Sequence, residues 1–378
     1  MESTSVLAAE RLSGAMAVDP FEHAHRTPGV VWMSQNTNYL PGSPRIRGAV
    51  LAAMDRGLHH QYPLKKGLPG LPQLVRDDLG TPNHDVLITH GGLEASYILW
   101  RAVLSPGDEV VASDPSFLPI HAQIRLSEAT PVELPIYAPP WKLTVSQIRD
   151  ALTDHTRAIL LIDPINPLGT AYTRDEVRAI AELARERSLL LVHDVTYRDF
   201  AQAPALATEF YPENTVLIYS FSKWAGLAGL RVGALVGPPD WMAKCKPYDT
   251  NPLGVNVLAQ AAAKAALETK KEWLPGMLRT CRENQALIKD AVAKIEGAFL
   301  PVYPSHANLF VIDVSATGVD PAAIEEKLLF EHGVFVRGGA YVSERFGRRF
   351  VRVSFTVPAA DCKRFAEAFP RVVSDLRR

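Results

Sequence analysis

Seven short apolar runs punctuate the first two thirds of the chain: Val86–Thr89, Glu109–Ala112, Thr130–Leu134, Ala158–Ile162, Leu189–His193, Val216–Tyr219 and Val232–Val236. They read as continuous apolar runs instead of alternating ones, the pattern of strands covered on both faces. Helical spacing appears between several of them. The clearest case begins at Thr173, with Glu176 three residues on as a capping box, and sets Val177, Ile180, Ala181 and Ala184 on one face. Strand–helix alternation of this kind predicts an α/β layer with a mostly parallel sheet of seven strands and helices on both faces.

The texture changes after about residue 250. Val257 to Ile295 is helical in composition, and Pro275-Gly276 is expected to kink or break it. Asp320-Pro321 opens a further helix with a cap and a proline in its first turn, and Gly333 closes it. Phe350 to Val357 alternates as a strand with Val351, Val353, Phe355 and Val357 on one face, and a C-terminal helix follows. These features predict a smaller α+β domain. The expected division is a large domain over 45–250 and a small one made of 1–44 and 251–378, which includes the long interdomain helix.

Composition narrows the function classes. A chain of 378 residues with 47% hydrophobic content can bury two sizeable cores. The net charge of -1, without a long charge run, gives no electrostatic case for nucleic acid or an anionic membrane. No apolar run approaches the roughly 20 residues needed to span a bilayer. The start, Met1-Glu2-Ser3-Thr4, lacks the basic and apolar regions of a signal peptide. Cys245, Cys281 and Cys362 are far apart and show no metal-ligand spacing, so they read as reduced thiols in a cytoplasmic protein without a metal site.

The chemistry centres on Ser220-Phe221-Ser222-Lys223-Trp224-Ala225-Gly226-Leu227-Ala228-Gly229-Leu230-Arg231. A lysine just past a strand can form a Schiff base with an aldehyde, and burial near other cations lowers its pKa enough to do so. The Ser220 hydroxyl and Arg231 suit a phosphate dianion. An aldehyde that carries a phosphate is pyridoxal 5'-phosphate (PLP). The plainer alternative is a surface lysine followed by glycine turns. Further segments fit the same cofactor. In Thr89-His90-Gly91-Gly92-Leu93-Glu94-Ala95 a glycine turn opens a helix, whose free N–H groups at Gly91, Gly92 and Leu93 would cradle a phosphate. In His193-Asp194-Val195-Thr196-Tyr197 a carboxylate on Asp194 would keep a pyridine nitrogen protonated as an electron sink, with Tyr197 hydrogen-bonding the 3'-oxygen. Asp114-Pro115-Ser116-Phe117 and Asp163-Pro164-Ile165-Asn166-Pro167-Leu168-Gly169 each follow a strand. Taken alone, Phe117 is equally a core residue and Asn166 part of a proline turn.

In their order along the chain these segments resemble the class I/II aminotransferases, the fold-type I PLP-dependent transferases, over roughly Val31 to Phe355. The resemblance implies that Phe117 stacks on the pyridine ring and that Asn166 donates to its 3'-oxygen. It implies that Arg352, in Arg352-Val353-Ser354, grips the substrate α-carboxylate, although the neighbouring Arg348 and Arg349 allow a solvated arginine there. Gln61-Tyr62-Pro63 resembles the segment whose tyrosine reaches the phosphate of the neighbouring subunit, which implies a homodimer with shared sites. Ser34-Gln35-Asn36-Thr37-Asn38-Tyr39-Leu40-Pro41 is similar to a substrate-bordering segment of histidinol-phosphate aminotransferases, which places Asn38 at the substrate. Arg337 matches an arginine of that branch able to meet a second acidic group, and a surface role is equally open. Thr37, Tyr39, Ile165, Leu168 and Val195 depart from the family pattern, and Ile165 and Leu168 are expected to alter the pocket wall. The implied activity is transfer of an amino group between an L-amino acid and a 2-oxo acid through Lys223. The alternative is a PLP-dependent lyase, decarboxylase or oxidase of specialised biosynthesis. A regulator built on the same fold is disfavoured, because the residues ahead of the resemblance show neither a helix-turn-helix nor a basic patch.

Overall fold

A computed structural model describes residues 19–64, 66–249, 251 and 253–378 of the chain. All seven apolar runs are strands, with ends that differ from the sequence expectation by one or two residues. They form one sheet in the order Asp85–Thr89, Gly233–Gly237, Thr215–Ser220, Leu190–Asp194, Thr156–Ile162, Glu109–Asp114 and Thr130–Pro135. Gly233–Gly237 runs antiparallel to both neighbours, and the remaining pairs are parallel. Successive strand residues enter separate cores. Val110 and Ala112 pack with Ile98, Leu99 and Trp100 of the Gly92–Val103 helix, while Val111 packs with Val177, Ile180 and Ala181 of the Arg174–Glu186 helix. Both sheet faces are thus covered, which explains the absence of polar alternation in these strands. The Arg174–Glu186 helix carries the capping box between Thr173 and Glu176 read from the sequence.

The second region is built on a three-stranded antiparallel sheet with Phe350–Ser354 between Leu309–Asp313 and Arg337–Gly338. Helices Pro321–His332 and Ala359–Leu376 flank it. Asp320 caps the first and Gly333 ends it in the left-handed conformation, as the sequence indicates. Val31–Trp32 pairs in parallel with Val334–Phe335, so the N-terminal segment from Asp19 onward joins this region. Residues 1–18, expected to pack there too, lie outside the described residues.

Two expectations are corrected. The helical stretch is interrupted at Thr269, between Val257–Glu268 and Lys270–Val292, and not at Pro275-Gly276. Pro275 sits in the second turn of its helix and forfeits a single backbone bond there, whereas the Thr269 hydroxyl donates to the Ala265 carbonyl at 2.7 Å and closes the first helix. The alternating strand ends at Ser354 instead of Val357. Beyond that point Asn284 Nδ2 donates to the carbonyls of Phe355 and Val357, so a side chain replaces the ladder.

Candidate active site

Asp114, Ile162, Asp194 and Ser220 are the last residues of four strands in the parallel part of the large sheet. The crevice beyond such carboxyl ends is where open α/β sheets bind ligands. A cavity of about 290 Å³ lies there, closed on the far side by residues of the second sheet and of the N-terminal segment.

Its anion-binding end begins at Gly91. That residue has φ +82° and ψ 173°, so its conformation requires glycine, and a Cβ on it would stand 2.7 Å from Nη2 of Arg231 and press the guanidinium out of place. Gly92 and Leu93 open the twelve-residue Gly92–Val103 helix, whose first turn has no side-chain cap, and both line the cavity. The Ser220 hydroxyl accepts from the Ser222 amide at 3.2 Å. Arg231 is held in place by bonds from its guanidinium to the carbonyls of Ala228 and His90. Ser220, Ser222 and Arg231 line the same cavity. A helix N-terminus, two hydroxyls and a guanidinium around one space have the donors a phosphate dianion needs.

Lys223 faces this space. Its Nζ donates to the Gln35 carbonyl at 2.9 Å. Burial, reinforced by the Arg352 and Arg231 cations, brings its pKa down to about 7 against the pull of Asp194. Asp194 accepts from the Thr196 amide at 3.0 Å, and burial pushes its carboxyl above the ordinary carboxylate range while Thr196, His193 and Lys223 oppose the shift. The Tyr197 hydroxyl accepts from Asn36 Nδ2 at 3.0 Å, and burial keeps it protonated well beyond the ordinary phenol range. Phe117, which precedes the Leu118–Leu126 helix, is a half-buried wall of the cavity.

Arg352 is buried in the central strand of the small sheet. It donates from Nη1 to Asn166 Oδ1 at 2.9 Å and from Nη2 to the Ser34 carbonyl. Arg337 is its cross-strand partner. The Arg337 guanidinium lies 4.8 Å from the Phe21 ring centroid and 4.5 Å from that of Tyr341, and its Nε is 3.6 Å from Glu325. Among the described residues, buried Ser34 Oγ and Asn36 Oδ1, both on residues that line the cavity, have no hydrogen-bond partner.

Gly91, Gly92, Leu93, Phe117, Asn166, Asp194, Tyr197, Ser220, Ser222, Lys223, Arg231, Arg337 and Arg352 therefore gather at or against one cavity. Two expected residues do not. Asn38 spends its side chain on the Trp224 carbonyl and the Leu40 amide, and it does not line the cavity. Tyr62 is 80% exposed, on a separate part of the surface beside Arg56 and Lys264. The departures at Ile165, Leu168 and Val195 fall in apolar cores behind the site, so the expected change in the pocket wall is not seen there, and Tyr39 points outward. Among the wall residues, the sequence reading named no role for Gln35 or Thr196 inside the segments it quoted, and it did not single out Phe21 or Tyr341. Gln35 contributes a backbone carbonyl, which no side-chain motif can announce, whereas the Thr196 hydroxyl stood within the Asp194 motif. Among the described residues no group of His, Cys, Asp and Glu is arranged to hold a metal, and no helix is long and apolar enough to cross a membrane.

Comparison with known proteins agrees with this arrangement. The family model "Aminotransferase class I and II" matches residues 28–369. A histidinol-phosphate aminotransferase of Symbiobacterium thermophilum is 31% identical, over 87% of this chain and 89% of its own length. An aspartate aminotransferase of Pyrococcus horikoshii is 26% identical, over 93% and 92%. The crystal structure of an aminotransferase from Mycobacterium tuberculosis superposes with a TM-score of 0.83 at 25% identity, covering 94% of each chain. With a lysine, an aspartate and an anion cradle facing one cavity, and with relatives that match nearly end to end, this chain belongs to the class I and II aminotransferases, PLP-dependent enzymes of fold type I.

Proposed function

We propose that Lys223 anchors PLP and moves the substrate proton in transfer of an amino group between an L-amino acid and a 2-oxo acid. The observation that carries this reading is a buried lysine, poised at about pH 7, that shares a cavity with Asp194 and Arg231. The cofactor, when bound, supplies the electron sink that acidifies the substrate α-carbon. Every other task falls to the chain. Gly92, Leu93, Ser220, Ser222 and Arg231 hold the phosphate. Asp194 faces the ring nitrogen; its carboxyl, disfavoured as an anion by burial, gains from a cation placed against it. Asn166 and Tyr197 serve the 3'-oxygen, and Phe117 supports the ring face. Arg352 binds the α-carboxylate with a guanidinium already held by Asn166 and Ser34. Lys223 Nζ, largely able to shed its proton near neutrality, takes the α-proton and returns it one position along. Arg337 meets the far end of donors that carry a second acidic group.

The molecule is proposed to work as a homodimer. Tyr39, Leu51, Met54, Tyr62, Leu64 and Leu253 are exposed apolar side chains of the kind that a second copy would cover. Tyr62 would then reach the partner's phosphate. The proposed division into a large domain over 45–250 and a small one from 1–44 and 251–378 is supported by the two sheets, and a cytoplasmic setting by three buried free thiols. Borohydride reduction of the PLP-loaded protein followed by peptide mapping is the test. The pyridoxyl group is expected on Lys223, with transamination lost in Lys223→Ala; a label on another lysine, or turnover retained in that variant, would sink the reading.

A further inference from the structure

Behind the site lies a buried group of charges that the reaction itself does not use. Asp78, in the Leu71–Leu79 helix, receives Arg198 Nη2 at 2.6 Å, Lys270 Nζ at 2.6 Å and the Tyr219 hydroxyl at 2.9 Å. Arg198 Nη1 also donates to the Asp78 carbonyl at 2.9 Å, near the end of the same helix. Lys270 Nζ stands 2.6 Å from Asp199 as well, and Arg198 Nη2 is 3.3 Å from it. The four charged side chains are only 8–14% exposed, and Tyr219 is buried. Two carboxylates and two cations make the group neutral. Burial alone would raise the Asp78 carboxyl; Arg198 and Lys270 overcome it and hold the pKa below the ordinary value.

What this group touches gives it a role. Arg198 and Asp199 directly follow Tyr197, Tyr219 directly precedes Ser220, and Lys270 Nζ sits 4.3 Å from the ring centroid of Trp224, the residue after Lys223. The neighbours of three cavity residues are therefore tied to one point, although they come from separate loops and strands. Asp78 and Lys270 reach that point from helices that contribute nothing to the cavity wall. Buried ion groups add little net stability, because desolvation offsets their attraction, and their directed bonds instead fix one arrangement.

We propose that Asp78 is a positioning residue: with Arg198, Asp199, Lys270 and Tyr219 it locks the segment that carries Tyr197 to the segment that carries Ser220 and Lys223. The proposal rests on the assignment of Lys223 and Tyr197 to the cofactor. Misplacement of a reacting group by about 1 Å can cost roughly a hundredfold in rate, so slack in this tie is read in turnover before it is read in substrate binding.

The test compares holoenzyme of the native protein, Asp78→Asn and Tyr219→Phe. Peptide mapping of the native protein comes first, since a label away from Lys223 overturns the cofactor assignment and not the tie. Four quantities are then measured: kcat, KM, the pH midpoint of the bound chromophore's absorbance change, and Tm. Asp78→Asn is expected to lower kcat about tenfold or more, to leave KM within about threefold, and to displace the pH midpoint. A lowered Tm with native kcat and native midpoint would show a purely structural cluster and overturn the proposal. If Asp78→Asn does not fold, Tyr219→Phe, which keeps every charge and removes one bond to Asp78, decides on the same criteria.

Discussion

Arg352 Nη1 donates to Oδ1 of Asn166 at 2.9 Å, across 186 positions of sequence. The bond joins the middle strand of the small sheet to the loop after the Thr156–Ile162 strand of the large one, so the site exists only where the two sheets meet. It also leaves Arg352 oriented before any substrate arrives.

That orientation has a measurable consequence. Asn166→Ala frees Nη1 and is expected to raise KM for the amino donor about tenfold, while Arg352→Lys, which loses the fork, should cost about 10- to 100-fold in kcat/KM. Steady-state kinetics with one donor checks both; an Arg352→Lys enzyme with native kcat/KM would remove Arg352 from carboxylate binding.

Gly91→Ala combines a left-handed φ of +82° with a Cβ 2.7 Å from Arg231 Nη2. The ψ of 173° at Gly91 puts it in a region that is essentially glycine-only, so strain of about 1–3 kcal/mol and displacement of Arg231 should weaken PLP affinity by about tenfold or more. Gly29→Ala is the control, because its φ is also positive, at +78°, with nothing within 4 Å of an added Cβ. Titration of the apoprotein with PLP should separate the two variants, and equal affinities would argue against the cradle.

Lys223 makes the stability of the apoprotein depend on pH. Its folded pKa is about 7, below the ordinary 10.5. The unfolded chain therefore binds more protons between these values, and stability rises with pH through that window. The destabilising contribution is complete below about pH 7 and is relieved toward pH 10.5. Lys223→Met should flatten this part of the curve in urea melts performed from pH 6 to 10, a range of about four units around the shift. An identical slope in the variant would mean that Lys223 is not depressed.

Arg337 carries aromatic rings against its guanidinium and has Glu325 3.6 Å from its Nε, and it lines the cavity. Arg337→Ala should raise KM about tenfold for dicarboxylic donors and leave apolar donors nearly unchanged. Equal effects on both classes would assign Arg337 to the wall alone.

Subunit complementation tests Tyr62. Tyr62→Ala and Lys223→Ala chains, each impaired, should regain activity when refolded together, because a mixed dimer contains one site with both residues native. Absence of recovery, with mixed dimers shown to form, would place Tyr62 outside the partner's site.

The positions of the strands along the chain and the lysine segment were legible in the sequence because they rest on local physics. A strand buried on both faces is an apolar run, a capping box needs only Thr173 and Glu176, and Lys223 follows its strand by three residues. Asp194 and Tyr197 could be read for the same reason, as they end or follow a strand whose apolar run was clear, and Arg231 by its fixed spacing from Lys223. The tertiary structure decided the rest. Pro275 was absorbed because its place in an early turn cost one bond, and Asn38 turned to the Trp224 carbonyl because a buried backbone acceptor stood within reach. The Gln35 carbonyl at Lys223, the Asn166 bond to Arg352 and the charges around Asp78 join residues far apart in sequence. Such contacts leave no periodicity and no spacing in the chain, because only the meeting of separately folded segments creates them.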